Sequence, residues 1–300
     1  MRRLLAIVNA AAGGAADDVV SDIVNVLREH ADTAEVRLDE PDALAKALDE
    51  HPDRDPVVLG GDGSLHRLVA TLAERGELAS RTVGLIPLGT GNDLARGLGV
   101  PLDPKEAARA AALGRPRPID LLRDDEGGVV VNAVHIGVGV EAARTATPLK
   151  PVLRRFAYAV GSLVAGARTK GSPLKVEVDG RVVADGRRRV LMVGIGNGTS
   201  IGGGTPLTPG AHPSDGQADV VVSFATGPWQ RLRYGVLLKL GRHVDRPEVA
   251  AVRGTRVRIS GPAVHVNADG ELTGPYAERT WTVEPHAWRL SMPEVASQAT

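Results

Sequence analysis

A chain of 300 residues has room for two compact domains, and its 43% hydrophobic and 24% charged residues suit an ordinary soluble fold. The absence of cysteine excludes a disulfide framework, a thiolate nucleophile and a cysteine-based zinc site. The formal charge of zero hides an asymmetry: residues 1–130 carry 15 Lys/Arg against 23 Asp/Glu, while residues 131–300 carry 21 against 13.

The chain opens with Arg2, Arg3 and an apolar run that stops at Asn9, too short for a signal peptide. No stretch approaches the ~20 apolar residues that span a bilayer, so the expected location is the cytoplasm. Residues 4–8 predict a buried strand, and residues 17–30 a helix with Val20, Ile23, Val24 and Leu27 at helical spacing. Residues 34–38 alternate as a strand, and residues 41–50 predict a helix with Pro41 in its first turn. Two units of one kind follow. Val57-Val58-Leu59 runs into Gly60-Gly61-Asp62-Gly63-Ser64, and residues 83–88 run into Gly89-Thr90-Gly91-Asn92-Asp93, each followed by a helical pattern. Residues 104–113 predict another short helix. Such β-α repetition implies a parallel sheet with helices on both faces, and ligands bind at the carboxyl ends of its strands. Both glycine-rich turns fall at that edge, as does Asn9 after the first strand.

After Asp120 the texture changes to short β-rich runs at 129–136, 174–178, 190–195, 218–223, 255–259 and 280–283, separated by Gly, Pro and Asp turns as in a sandwich. Residues 152–168 and 229–244 interrupt with helical stripes, the second formed by Trp229, Leu232, Val236, Leu240 and Val244. Packing against the sheet is the favoured reading for both, direct lipid contact the alternative. Residues 151–190 hold nine Lys/Arg against three Asp/Glu, which fits either a solvated surface or an anionic membrane surface facing Arg154, Arg155 and Arg187–Arg189. Aromatic residues are too few there to favour nucleic acid.

A glycine turn between a strand and a helix lets backbone N–H groups approach an anion, and the helix dipole adds positive potential. Two such turns, each carrying a carboxylate, point to a polyphosphate with a divalent metal. The pattern is not a Walker A loop, because no Gly-Lys-Ser/Thr follows, nor a G-x-G-x-x-G fingerprint at the first strand. Asp62 is placed to meet a phosphate-bound metal or a substrate hydroxyl. Asp93 and Asn92 are candidates to cap the helix starting near Leu94. Thr90 and Ser64 offer hydroxyls. Asp120 stands where the α/β texture ends, and Asn267-Ala268-Asp269-Gly270-Glu271 reads as a hairpin turn that leaves Glu271 unexplained.

Together, Leu59-Gly-Gly-Asp-Gly-Ser64 and Leu85-Ile-Pro-Leu-Gly-Thr-Gly-Asn-Asp-Leu-Ala-Arg96 resemble the diacylglycerol kinase catalytic domain of bacterial lipid kinases, and the resemblance extends from Asn9 to Asp269-Gly270-Glu271. It implies an α/β N-terminal domain with a parallel sheet, residues 1–122 joined by about 284–300, and a C-terminal β-sandwich lipid-substrate domain, residues 123–283. It implies ATP and Mg²⁺ as cofactors, with nucleotide contacts from Asn9, Gly13, Gly60, Gly61, Asp62, Gly63, Ser64, His66, Gly89, Thr90 and Asn92. Glu271, Asp62 and Asp120 match the catalytic carboxylates, drawn from both halves and so implying a cleft between them. Glu271 is preferred as base, without excluding the other two. The Gly202-Gly203-Gly204 to Asp219 segment is similar to the family's structural Mg²⁺ loop, which carries over to Asp215 and the main-chain oxygens of His212 and Gln217.

Several positions depart from the family. Asn9-Ala10-Ala11-Ala12-Gly13 lacks the usual Pro and Ser, Ser64 replaces Thr, His66 replaces Asn, and Asp39-Glu40 stand where Thr is common. These leave nucleotide preference open. The implied partners are a diacylglycerol-like lipid substrate and transient contact with an anionic membrane at the inner face. No nucleic acid is implied, and a homodimer is left open. A soluble small-molecule kinase of the NAD kinase superfamily and a non-catalytic lipid- or nucleotide-binding regulator are the competing readings.

Overall fold

The computed structural model describes residues 1–9, 17–40, 42–137 and 171–294. The chain divides into two compact units: Met1–Leu121 with Pro213–Asp215 and the segment from Glu284 onward, and Leu122–His212 with Gly216–Val283.

In the first unit β1 (Arg3–Asn9), α1 (Asp17–His30), β2 (Asp32–Leu38), α2 (Ala43–Glu50), β3 (Asp55–Gly60), α3 (Asp62–Glu74), β4 (Thr82–Pro87), α4 (Asp93–Leu98) and α5 (Pro104–Leu113) follow in turn. The strands pair in parallel in the order β2-β1-β3-β4. The final strand of the chain joins β4, also in parallel, at Arg289↔Thr82 and Leu290↔Val83. Leu4 to Val8 are all buried, because a parallel strand covered on both faces has no solvent side. On one face Leu4, Ala6 and Val8 pack with Ile23, Val24 and Leu27 of α1 and Ala107, Ala108 and Ala111 of α5, whose small side chains bring that helix close. Helix α5 is capped by Asp103, which accepts from the N–H groups of Lys105 and Glu106, with Pro104 at its first position. The helix expected from Pro41 begins instead at Ala43, with Asp42 as its flanking residue.

β5 (Arg115–Asp124) leads into the second unit, formed by β6 (Val129–Val130), β7 (Ala133–Gly137), β8 (Lys175–Val178), β9 (Arg181–Asp185), β10 (Met192–Gly196), β11 (Ser200–Ile201), β12 (Thr205–Pro206), β13 (Ala218–Ser223), α6 (Pro228–Lys239), β14 (Val249–Gly254), β15 (Arg256–Ala268) and the first part of β16 (Glu271–Met292), whose residues from Glu284 belong to the first unit. Its strands pair antiparallel in the order β14-β13-β10-β7-β15-β16, with β8 on β15 and β9 on β8. Val134, Ile136, Val193, Ile195, Val220, Val222, Val257, Ile259 and Trp281 make its core.

Three expectations change here. The strand expected at 129–136 breaks at Val131-Asn132, because the N–H groups of Val131, Asn132 and Ala133 turn to a side-chain carboxylate (below) instead of a ladder. The helix expected over 229–244 ends at Lys239, with Leu240 and Gly241 closing it and a 3-10 turn at His243–Asp245. Its stripe does not pack on the sheet: Trp229, Leu232, Val236 and Leu240 face solvent, and Tyr234 on the opposite face is the buried residue. The stripe expected at 152–168 lies outside the described residues, as do Gly13, Arg154 and Arg155.

Candidate functional site

The two glycine-rich turns of the first unit are built on each other. β3 ends at Gly60, whose carbonyl accepts from Leu88 N–H at 3.0 Å just beyond β4. That bond draws the following turns together. A Cβ on Gly61 would stand 3.0 Å from Gly89 Cα, and one on Gly89 would stand 2.5 Å from Gly61 Cα and 2.7 Å from Asn92 Oδ1. These glycines therefore serve backbone-to-backbone packing as much as access for an anion. Gly63 meets nothing within 4 Å, so its missing side chain leaves open space. Gly89→Ala should push the two turns apart and cost ~1–3 kcal/mol of stability, read from the urea midpoint, whereas Gly63→Ala, in open space within α3, should hold that midpoint or raise it slightly.

Asp62, the first residue of α3, holds the second turn in place. Its Oδ2 accepts from Asp93 N–H at 3.1 Å and its Oδ1 from Leu94 N–H at 3.3 Å, so it caps α4 from a separate element. This corrects the expected local cap. The helix starts at Asp93, and Asn92 flanks it without capping it through its side chain. Asn92 sits at φ 52°, a left-handed conformation that Asn tolerates. Its Nδ2 donates to Gly89 O at 2.8 Å, but its buried Oδ1 has no hydrogen-bond partner among the described residues. Burial raises the Asp62 carboxyl above its ordinary value and the charge of Asp93 adds to the rise, while the N–H groups of Asp93 and Leu94 oppose it. Thr90 is exposed, Ser64 and His66 are half-buried on the first turn and a half of α3, and Asn9 ends β1 beside β3. Ser64 N–H is already used, donating to Gly61 O at 3.0 Å.

Asp120 is fully buried in the same unit. Its Oδ1 accepts from His286 N–H at 2.8 Å, its own N–H donates to Pro213 O at 2.8 Å, and its carbonyl accepts from Trp288 Nε1 at 3.2 Å. These contacts make it a strut that fixes three chain segments.

In the second unit, β15 and β16 meet in a two-residue hairpin at Asp269 (φ 49°) and Gly270 (φ 96°), the mirror-image turn that suits strand twist. The Asp269 carboxylate accepts from Val131, Asn132 and Ala133 N–H at 2.6, 2.9 and 3.0 Å. Glu271 follows, exposed, with no ion pair or side-chain hydrogen bond among the described residues. Within one motif, Asp269 anchors, Gly270 turns and Glu271 is presented.

Sequence reading missed the anchor and the polar residues around it. Asn132 is buried, with Nδ2 donating to Ser200 O at 2.9 Å and Oδ1 unpartnered among the described residues. His135, half-buried on β7, has a shielded Nδ1 that is likewise unpartnered, and burial pushes its imidazole down to about 4. The available signal was polar residues inside an apolar run, Val130-Val131-Asn132-Ala133-Val134-His135-Ile136. A neutral folded His135 has a pH consequence. Above the ordinary histidine value of ~6.5 both folded and unfolded states leave it uncharged, and below that the unfolded chain gains a proton that the fold refuses. Stability should thus fall as pH drops from ~6.5 towards ~4, and His135→Gln should flatten that part of the curve in melts at pH 7 and pH 5.

His212, Asp215 and Gln217 lie exposed on the loop between β12 and β13, where Gly216 at φ 75° makes the turn. The described residues hold no group of three His, Cys, Asp or Glu side chains placed for a metal, and the implied set contributes a single carboxylate.

The description "Diacylglycerol kinase catalytic domain" matches residues 3–123, and "YegS C-terminal NAD kinase beta sandwich-like domain" matches residues 132–292. A "Probable lipid kinase YegS-like" protein of Stenotrophomonas maltophilia is 33% identical over 298 residues, covering 93% of each chain. A "Diacylglycerol kinase" of Mycobacterium tuberculosis is 31% identical over 244 residues, covering 78% of this chain and 74% of that one. The crystal structure of a diacylglycerol kinase from Bacillus anthracis str. Sterne covers 97% of both chains at a TM-score of 0.74 and 22% identity, which shows a shared fold. The chain belongs to the diacylglycerol kinase family of lipid kinases: an α/β domain with a parallel sheet followed by a β-sandwich-like domain.

Proposed function

We propose that this protein transfers the γ-phosphoryl group of Mg²⁺-bound ATP to the hydroxyl of diacylglycerol or a related long-chain lipid alcohol, acting at the cytoplasmic face of a membrane. The observation that carries the nucleotide reading is the interlocked pair of turns in the first unit. Two glycines in backbone contact, an open Gly63 and a buried Asn92 Oδ1 without a partner among the described residues leave space and hydrogen-bonding capacity for a polar ligand.

The residues present fit a metal-bound nucleotide. Gly60, Gly61, Gly63 and Thr90 would hold its phosphates with main-chain N–H groups and a hydroxyl, Asn92 Oδ1 would accept from a ligand N–H or O–H, and Asp62 with Asp93 supplies negative charge for Mg²⁺. Bound there, Mg-ATP supplies the phosphoryl group and the charge neutralisation that phosphoryl transfer chiefly needs. Asp62 has two duties in this reading, since the carboxylate that would meet the metal also orients α4. Asp120 acts as a positioning residue. Glu271 is assigned as the general base that takes the proton of the lipid hydroxyl, a role that fits its exposure and the lack of an ion pair to it among the described residues. Asp215, with the main-chain oxygens of His212 and Gln217, is assigned to a structural Mg²⁺.

Incubation with radiolabelled ATP, Mg²⁺ and a panel of acceptors tests the reading. Diacylglycerols and other long-chain alcohols in mixed micelles should be labelled and identified by mass, and NAD should not. Labelling of soluble acceptors alone would transfer the chemistry to a different substrate class. ATP binding without labelling of any acceptor would support the regulator reading.

A further inference from the structure

Helix α6 is apolar on two opposite faces, and one of them is covered. Tyr234 is buried, its hydroxyl 3.9 Å from Met192 Sδ and its ring edge-on to His243 with centroids 5.6 Å apart. Leu238 packs against the same cluster. The other face presents Trp229, Leu232, Val236 and Leu240, exposed by 82%, 48%, 51% and 63%. Spacings of three, four and four residues put them on one stripe. Scattered exposed apolar residues are ordinary, but a continuous stripe this exposed marks an interaction surface.

Charge decides what the surface fits. Between Asp219 and Asp245 the chain has no acidic residue, while Arg231, Arg233, Lys239 and Arg242 fall within it. Arg233, Lys239 and Arg242 are exposed. The positive charge continues beyond the helix start. Arg188 lies over the ring of Phe224 at 4.5 Å, Arg231 Nε donates to Thr226 O at 2.8 Å, and Arg187, Arg188 and Arg189 are all exposed. The acidic neighbour Asp185 lies 3.7 Å from Arg187 Nε and offsets part of that loop. An apolar stripe with an exposed tryptophan and a predominantly basic border is the pattern of a helix that lies in the surface of an anionic bilayer. At twelve residues α6 is about 18 Å long, too short to cross a membrane, and no helix among the described residues is long and apolar enough to do so.

We infer that α6 is an interfacial anchor: Trp229, Leu232, Val236 and Leu240 enter the boundary between head groups and acyl chains of an anionic membrane, while Arg233, Lys239 and Arg242 meet the lipid phosphates. The inference rests on the lipid-kinase reading in one respect, that a long-chain substrate resides in such a bilayer.

The three tryptophans provide the test. Trp281 and Trp288 are 2% and 0% exposed, so an environmental change in fluorescence reports Trp229. With vesicles of phosphatidylglycerol and phosphatidylcholine, emission should shift to the blue, iodide should cease to quench it, and brominated acyl chains should quench it instead. Binding should weaken steeply with added salt. A Leu232→Asp, Val236→Asp double variant that melts like the parent should bind these vesicles at least ~10-fold more weakly. Three results would overturn the inference: no association with anionic vesicles, sedimentation with them while Trp229 stays in water, or equal binding to pure phosphatidylcholine. A concentration-dependent dimer that the double variant dissolves would assign the stripe to a second copy and likewise overturn it. Phosphorylation of a short-chain, water-soluble diacylglycerol by the parent protein, assayed in parallel, separates the two readings. Labelling without a fluorescence shift removes the anchor, and a shift without labelling removes the kinase reading.

Discussion

Replacing Glu271 by Gln is expected to lower lipid phosphorylation by roughly 10²–10⁴-fold while nucleotide binding and thermal stability stay close to those of the parent. The expectation follows from how differently the two acidic residues of this hairpin are used. Asp269 accepts three main-chain N–H groups and belongs to the fold, whereas Glu271, two residues on, is exposed and makes no ion pair among the described residues. Its carboxylate therefore costs little to remove structurally, and loss of activity in a folded variant reports chemistry. Asp62→Asn makes the contrast. The amide keeps an oxygen for one of the two N–H groups that Asp62 receives, but it loses the charge that caps α4 and would attract Mg²⁺. That variant should impair both turnover and Mg²⁺-dependent ATP binding, measured by calorimetry with and without the metal. Near-normal phosphorylation by Glu271→Gln would move the base assignment to Asp62 or Asp120. Full activity in Glu271→Gln, Asp62→Asn and Asp120→Asn alike would end the proposed mechanism.

The second large effect is structural. Asp269→Ala should cost about 3–5 kcal/mol, because the N–H groups of Val131, Asn132 and Ala133, all buried residues, lose a charged acceptor together. Part of the cost is conformational, since Asp269 occupies φ 49° and alanine disfavours that region. Asp269→Asn separates the contributions: it tolerates the backbone angle and keeps one oxygen, so it should fall between the parent and Asp269→Ala in urea titrations. An Asp269→Ala midpoint equal to the parent's would show that the three N–H groups find other acceptors and that the carboxylate is no anchor.

How much of this was legible in the chain depended on whether the signal was local. The strands at Leu4–Val8 and Val83–Pro87 declare themselves by unbroken apolar runs, and the glycine turns after β3 and β4 by composition. What the turns do to each other was not legible. That Asp62 caps α4 and that Gly61 touches Gly89 depend on β3 and β4 being neighbours, a tertiary fact. The same holds for Asp269, whose partners lie some 137 residues earlier. Helix α6 misled for another reason. Periodicity finds an apolar stripe but not its direction, and here apolar residues occupy both faces, so Tyr234 and Leu238 cover the core while the more conspicuous Trp229 stripe turns outward. The strand Glu271–Met292 was seen only as a fragment at 280–283, because Gly274-Pro275 and several charged residues interrupt its alternation.

The composition of the first unit bears on how a growing chain matures. Its sheet is finished by Arg289 and Leu290 against β4, its core by the fully buried Trp288, and the Asp120 carboxylate by the N–H of His286. All of these arrive after more than a hundred and fifty residues of the other unit have been synthesised. Until then a nascent chain exposes an unpaired strand edge beside β4 and a carboxylate without that N–H, an aggregation-prone stage in which chaperones would find most to hold. The glycine-rich turns after β3 and β4 would therefore reach their final setting only once residues 286–290 have been made.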